Sequence, residues 1–138
     1  MLLIPHFIAP SPIHGLGCFS SVNVKKGEKI WEFNPIIDRV ISLAELATLP
    51  PHTIDLIKTH AEYYPETSEF KLGADGDFFM NHSDDPNLEN FGDFAIARRD
   101  FHVGEEITCD YRSTKVWAFP LEFDAGHLPL AASMETQK

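Results

Sequence analysis

Ten prolines and eight glycines punctuate this chain so often that its apolar runs stay short. Each proline fixes φ and removes a backbone donor, and each glycine opens turn conformations closed to other residues. That leaves short strands joined by tight turns as the main building material. Ile30 to Phe33, Pro35 to Ile41, Phe94 to Ala97 and Glu106 to Cys109 read as such strands. Met1 to Ile8 reads as a first strand and not a signal peptide, since it is short, lacks a basic start and contains Pro5. Ser42-Leu43-Ala44-Glu45 has capping-box spacing, which predicts a short helix that Pro50-Pro51 ends. A second helix is predicted from Thr53 to about His60, burying Ile54, Ile57 and Ala61. Many short strands around two middle helices, with no βαβ alternation, define a β-rich α+β class.

A chain of 138 residues builds one core, so one domain over residues 1–124 is expected, with 125–138 as a loose tail. The net charge of -10 argues against nucleic acid as a direct partner and favours basic partners. Cys18 and Cys109 show neither disulfide-framework nor zinc spacing, so a reduced cytoplasmic setting is expected. No apolar run approaches membrane-spanning length, so no membrane partner is expected. One internal echo stands out: Val22 to Ile30 resembles Arg99 to Ile107, each a polar lead-in, a Gly-Glu turn and a strand. Two similar β-corners in one sheet system are the expected result.

Three clusters carry candidate chemistry. Ser11-Pro12-Ile13-His14-Gly15-Leu16-Gly17-Cys18-Phe19 holds a Gly-x-Gly, which lets backbone approach a ligand closely but alone reads as a tight turn. Asn81-His82-Ser83-Asp84-Asp85-Pro86-Asn87 follows Asp77-Phe78-Phe79-Met80, and taken alone is a strand ending in a turn. His82, Asp84 and Asp85 lack the second clustered histidine that zinc favours, so no metal is expected. Gly104-Glu105-Glu106-Ile107-Thr108-Cys109-Asp110-Tyr111 reads alone as a turn, a strand and an aromatic residue.

Together, in this order, the three pieces resemble the SET-domain family of protein lysine methyltransferases, in a minimal form without cysteine-rich flanks. The resemblance runs from Ser11 to Tyr111 and implies small curved sheets with a knot-like crossing near the second and third motifs. It implies S-adenosylmethionine as cofactor and lysine in a basic protein, such as a histone, as substrate, the two entering from opposite faces of a narrow channel. His14, Gly15, Leu16 and Gly17 would hold the cofactor's methionine part, with Asn81 and His82 contacting it from the crossing. A further cofactor-contacting aromatic is placed at Tyr64, with Tyr63 as the alternative, and Trp117 completes the cofactor wall. Tyr111 matches the family's catalytic tyrosine, and Phe79, Cys109 and Phe119 are the expected channel residues, with Phe78 a further wall candidate.

Such a transfer needs a neutral amine, although an unperturbed lysine has a pKa of about 10.4. Deprotonation at pH 7 costs about 4.6 kcal/mol, which a dry channel and a nearby sulfonium reduce. Alignment of nitrogen, methyl carbon and sulfur supplies the rest. Glu62, Glu66, Glu69, Asp75 and Asp77 form an acidic middle insert with two possible uses, a solvated face or a substrate-selecting surface. Two departures from the family pattern matter. Asp84 stands where the family has a zinc-binding cysteine, which predicts a zinc-free domain closed by the packing of Val116, Trp117, Phe119, Leu121 and Phe123. Cys109 stands where many members carry Phe or Tyr, which predicts room for di- or trimethylation. The alternative function is an idle module that binds a basic peptide or the cofactor, and a homodimer is compatible with either reading.

Overall fold

Gly27 and Gly104 adopt positive φ, 89° and 84°, and turn the two echoing segments of the sequence. The segments also meet each other: Val24 N donates to Phe101 O at 2.8 Å, and Phe101 N returns the bond to Val24 O at 3.0 Å. The echo is therefore one β-corner bridged to its likeness. The computed structural model describes residues 1–114. Trp117, Phe119 and the rest of the expected closing segment, with the boundary at residue 124, lie outside the described residues.

In chain order the strands are β1 (His6–Pro10), β2 (Leu16–Ser20), β3 (Lys29–Glu32), β4 (Arg39–Ser42), β5 (Glu62–Tyr64), β6 (Glu69–Leu72), β7 (Asn81–His82), β8 (Leu88–Asn90), β9 (Phe94–Ala97) and β10 (Thr108–Cys109). Strands β1 and β2 form an antiparallel hairpin, β3-β9-β8 and β4-β6-β5 form two three-stranded sheets, and β7 pairs with β10. That last pair is parallel, and its partners are far apart in sequence. Small antiparallel sheets with a few short helices match the expected β-rich α+β class.

Ser42 and Glu45 make both bonds of the capping box and open helix α1 (Leu43–Leu46). Helix α2 (Pro51–His60) starts earlier than predicted, because Pro51 takes the first helical position, where its missing N–H costs nothing. Its buried residues are Ile54, Ile57 and also Lys58, with Ala61 buried just beyond its end. The predicted strand from Pro35 to Ile41 is shorter than expected. Asn34 Oδ1 accepts from Ile36 N at 2.9 Å, and this local bond makes a turn before β4 begins. Asp77 to Met80 likewise departs from a strand: Asp75 accepts from Asp77 N and caps a single 3-10 turn, Gly76–Phe79. The first strand also starts later than expected, at His6.

Two apolar clusters result. Leu2, Ile30, Trp31, Leu88, Phe101 and Ile107 belong to one. Ile41, Leu46, Ile54, Ile57, Tyr63 and Phe70 form the other, with Tyr111 packed against it. A pocket lies between them, drawing Trp31, Leu88 and Ala95 from the first side and Ala61 from the second.

Candidate functional site

The parallel pair places Thr108 opposite Asn81 and Cys109 opposite His82, which brings the second and third motifs side by side. Asn87 fastens them. Its Nδ2 donates to Glu106 O at 2.8 Å, and its Oδ1 accepts from Thr108 N at 2.9 Å. Asn87 is 0% exposed, so these bonds answer polar groups that water does not reach.

Glu106 is the hub that joins the first motif to this crossing. Its carboxylate accepts from Ser11 Oγ at 2.8 and 2.9 Å and from Asn81 Nδ2 at 2.9 Å. Asn81 Nδ2 also lies 3.1 Å from the carbonyls of His14 and of Leu16, so the turn before β2 is held against β7. Gly15 makes that turn at φ 45°. A Cβ at Gly17 would displace the Glu106 carboxylate from its bonds to Ser11 and Asn81. The second glutamate of Gly-Glu-Glu carried the signal for this hub, since a carboxylate placed inside a crossing must find donors.

His82 and Tyr111 are coupled through the backbone. Tyr111 N donates to His82 Nδ1 at 3.0 Å, so the ring proton sits on Nε2, which donates to Asp84 Oδ1 at 2.8 Å. Asp84 thus fixes the tautomer that holds Tyr111. Arg112 NH2 reaches Asp84 at 3.4 Å and Asp110 at 2.8 Å. Tyr111's hydroxyl donates to Met80 O at 2.9 Å. Burial first, then the proximity of Cys109 and Glu106, raises the Tyr111 phenol well above its ordinary value. It therefore stays protonated and serves as a donor.

Tyr111 lines two pockets. One is bounded by Ile13, His14, Asn81, His82, Ser83 and Asp84. The other lies between the two apolar clusters and includes Trp31, Phe78, Met80 and Cys109. Of the expected cofactor residues, His14, Asn81 and His82 line the first pocket, whereas Gly15, Leu16 and Gly17 are not in its lining, and Leu16 is tied to it through its carbonyl, which accepts from Asn81. Cys109 stands in the second pocket, and burial raises its thiol pKa far above normal.

Two expected residues lie elsewhere. Tyr64 belongs to the β4-β6-β5 sheet and lines neither pocket that Tyr111 lines. Its hydroxyl donates to Gly92 O at 2.9 Å, and it lines a third, outer cleft with Glu62, Asn90 and Phe91. Phe79 does not line the pocket beside Tyr111; Phe78 does, stacked on His60 with ring centroids 3.9 Å apart. Successive side chains of a 3-10 turn point about 120° apart, so only one of the pair enters. The acidic insert divides too. Glu62 and Asp77 line the inner pocket, Asp75 accepts from Leu2 N at 2.8 Å, and Glu66 is exposed. Among the described residues no three His, Cys, Asp or Glu side chains are placed to hold a metal ion.

Crossed short strands that hold one tyrosine between two pockets define a β-rich domain built around a two-sided site. A model of the SET domain matches residues 15–112, and the chain belongs to the SET-domain family. Among solved structures it resembles the crystal structure of a candidate histone methyltransferase from Plasmodium falciparum. The two share 22% identity and a TM-score of 0.54, covering 80% of this chain and 95% of that one. At that identity the likeness speaks for the fold. No curated protein matches the chain.

Proposed function

We propose that this protein transfers methyl groups from S-adenosylmethionine to the side-chain amine of lysine in a basic protein, histones included. The observation that carries the reading is Tyr111, a single side chain lining both pockets, as a site joining donor and acceptor requires. When bound, S-adenosylmethionine supplies a methyl group on a positively charged sulfur. The outer pocket suits its methionine end chemically. Asp84 offers an acceptor for an ammonium, and His14 and Ser83 offer side chains able to donate to a carboxylate. The inner pocket sets Trp31, Phe78, Met80 and Leu88, which disfavour a charged amine, beside the Glu62 and Asp77 carboxylates, which can take a proton from it. Tyr111 orients the amine through its hydroxyl, alongside the Met80 carbonyl that it already engages. The acidic surface, at net charge -10, attracts basic substrates. A cytoplasmic enzyme, or a chromatin-associated one if histones are its substrate, fits this reading.

Incubation with S-adenosylmethionine and a mixture of basic proteins that includes core histones tests the reading, with mass spectrometry of lysine residues as the readout. Methylated lysine supports it. Cofactor binding by calorimetry without transfer selects the idle binding module, and absence of both overturns it.

Product multiplicity gives a second prediction. Cys109 lines the inner pocket and is a small, weak hydrogen-bonding side chain. Cys109→Tyr fills that space and adds a hydroxyl, so products are expected to shift from di- and trimethyl-lysine toward monomethyl-lysine. An unchanged product distribution would remove Cys109 from this role.

A further inference from the structure

The mechanism above leaves the destination of one proton open. The substrate amine arrives as an ammonium, and Tyr111 keeps its own proton, so the proton passes either to solvent or to another side chain of the pocket. We infer that Glu62 is the acceptor and that the cleft behind it is the proton's way out to solvent, an inference that rests on the methyltransferase reading.

Glu62 occupies for the proton the position that Tyr111 occupies for the methyl group. It lines the inner pocket with Tyr111 and Cys109, and it also lines the outer cleft with Tyr64, Phe91 and Gly92. Strand β5 explains this. Tyr63 packs into the second apolar cluster, so Glu62 and Tyr64 face the opposite way. Glu62 Oε2 lies 3.2 Å from Tyr64 OH, whose one proton is shared with Gly92 O at 2.9 Å, and 3.4 Å from Asn90 Nδ2, which lines both the inner pocket and the outer cleft. A second carboxylate, Asp77, lines the same pocket and makes a proton on Glu62 more favourable. Its side chain is 10% exposed, and its Oδ2 accepts from Trp31 Nε1 at 2.8 Å and lies 3.6 Å from the Met1 ammonium, while its Oδ1 has no hydrogen-bond partner among the described residues.

The titratable groups facing Glu62 come from several surrounding elements. Asp77 lies on the 3-10 turn, Lys71 on β6, Tyr64 on β5, Cys109 on β10, His60 on α2, and Tyr111 beyond β10. Lys71 is engaged by Asp93 at 2.8 Å and sits over the Tyr64 ring at 4.0 Å. Burial is the largest influence on Glu62 and pushes its pKa up to about 7, with Asp77 adding to the rise. Burial pushes Asp77 up to about 6, and lowers His60 below its ordinary value. Cys109, Tyr64 and Tyr111 are all pushed upward, which leaves the two carboxylates to accept a proton near neutrality.

The step balances. An N–H bond of the ammonium breaks and an O–H bond forms on Glu62, directly or through one water, leaving a neutral amine. The nitrogen pair then forms the N–C bond as the S–C bond breaks, its electrons going to sulfur and the positive charge to the methylated amine. Glu62 returns its proton to water through the outer cleft and can accept another for the next methyl. Glu62 works only as the carboxylate, so the rate is expected to fall as pH drops through about 7.

Glu62→Gln keeps the shape of the side chain and removes the acceptor. Initial rates on subsaturating core histones are expected to fall about 10²-fold at pH 7. The deficit should shrink to within about tenfold near pH 9.5, because the neutral fraction of a free lysine rises about 300-fold over that range. Rates like wild type at pH 7, or an equal loss at both pH values with cofactor affinity intact, overturn the role. A second measurement needs no turnover. With S-adenosylhomocysteine bound, the carboxyl carbon resonance missing from Glu62→Gln should titrate near pH 7 and move on addition of n-butylamine. A resonance indifferent to n-butylamine sinks the assignment even if histones are methylated. If histones are left unmethylated but the resonance responds, the fault lies with the methyltransferase reading and not with Glu62 as a partner for amines.

Discussion

Tyr111→Phe is expected to lower the methyl-transfer rate by about 10²-fold or more while leaving cofactor binding within a few-fold of wild type. The ring packs against the second apolar cluster, and phenylalanine keeps that contact. The backbone N–H still reaches His82, since the substitution does not touch it. What disappears is one hydroxyl, bonded at 2.9 Å to the Met80 carbonyl where the two pockets meet. Losing it removes the group that orients the amine and leaves the Met80 carbonyl without that donor, and small misplacements of reacting groups are costly. Calorimetry with S-adenosylhomocysteine and a steady-state assay on core histones separate the two effects. A variant that transfers at the wild-type rate, or one that loses cofactor and rate together, would show that the hydroxyl does not orient the amine.

Asn87→Ala is expected to cost about 3–4 kcal/mol of folding stability. The side chain is wholly buried, and its removal strands Thr108 N–H and Glu106 C=O away from water. Each orphaned group carries a penalty of about 1–3 kcal/mol, and the cavity adds to it. For a small domain that is a large share of the total. Urea unfolding should show the midpoint dropping by more than about 1 M, given a typical slope for a domain of this size. Asn87→Asp keeps the acceptor for Thr108 but buries a carboxylate oxygen against the Glu106 carbonyl and beside the Glu105 carboxylate, so it should cost at least as much as alanine. A midpoint lowered by under about 0.5 M would mean that the crossing holds by other means.

The sequence and the structure agree best where a motif carries its own local physics. Ser42 and Glu45 form a capping box because both partners lie within one turn. Gly27 and Gly104 turn as written because few other residues accept their φ. The crossing was legible as a pair of motifs, although the hub that ties it together was not, since Glu106 acquires its meaning only from Ser11 and Asn81. Glu62 was harder still. On a strand whose alternate residue enters a core, an acid on the opposite face ordinarily meets water. Here the segment around Tyr111 and the 3-10 turn cover that face, and no local pattern announces the cover. Pro35 to Ile41 misled for the converse reason: apolar residues promised a strand, while one Asn34 side-chain bond made a turn. Phe78 and Phe79 read alike in sequence, and only the tight turn decides which ring enters the pocket.

The parallel pairing of Asn81-His82 with Thr108-Cys109 sets a condition on how this chain is made. The outer pocket is walled by residues from Ile13 to Tyr111, so no shorter N-terminal piece of the protein contains it. On a ribosome, the early hairpin and the second apolar cluster with its helices emerge first, without the strand that completes the crossing. Binding competence therefore arrives late and all at once, when the segment carrying Tyr111 leaves the exit tunnel and finds its place beside His82.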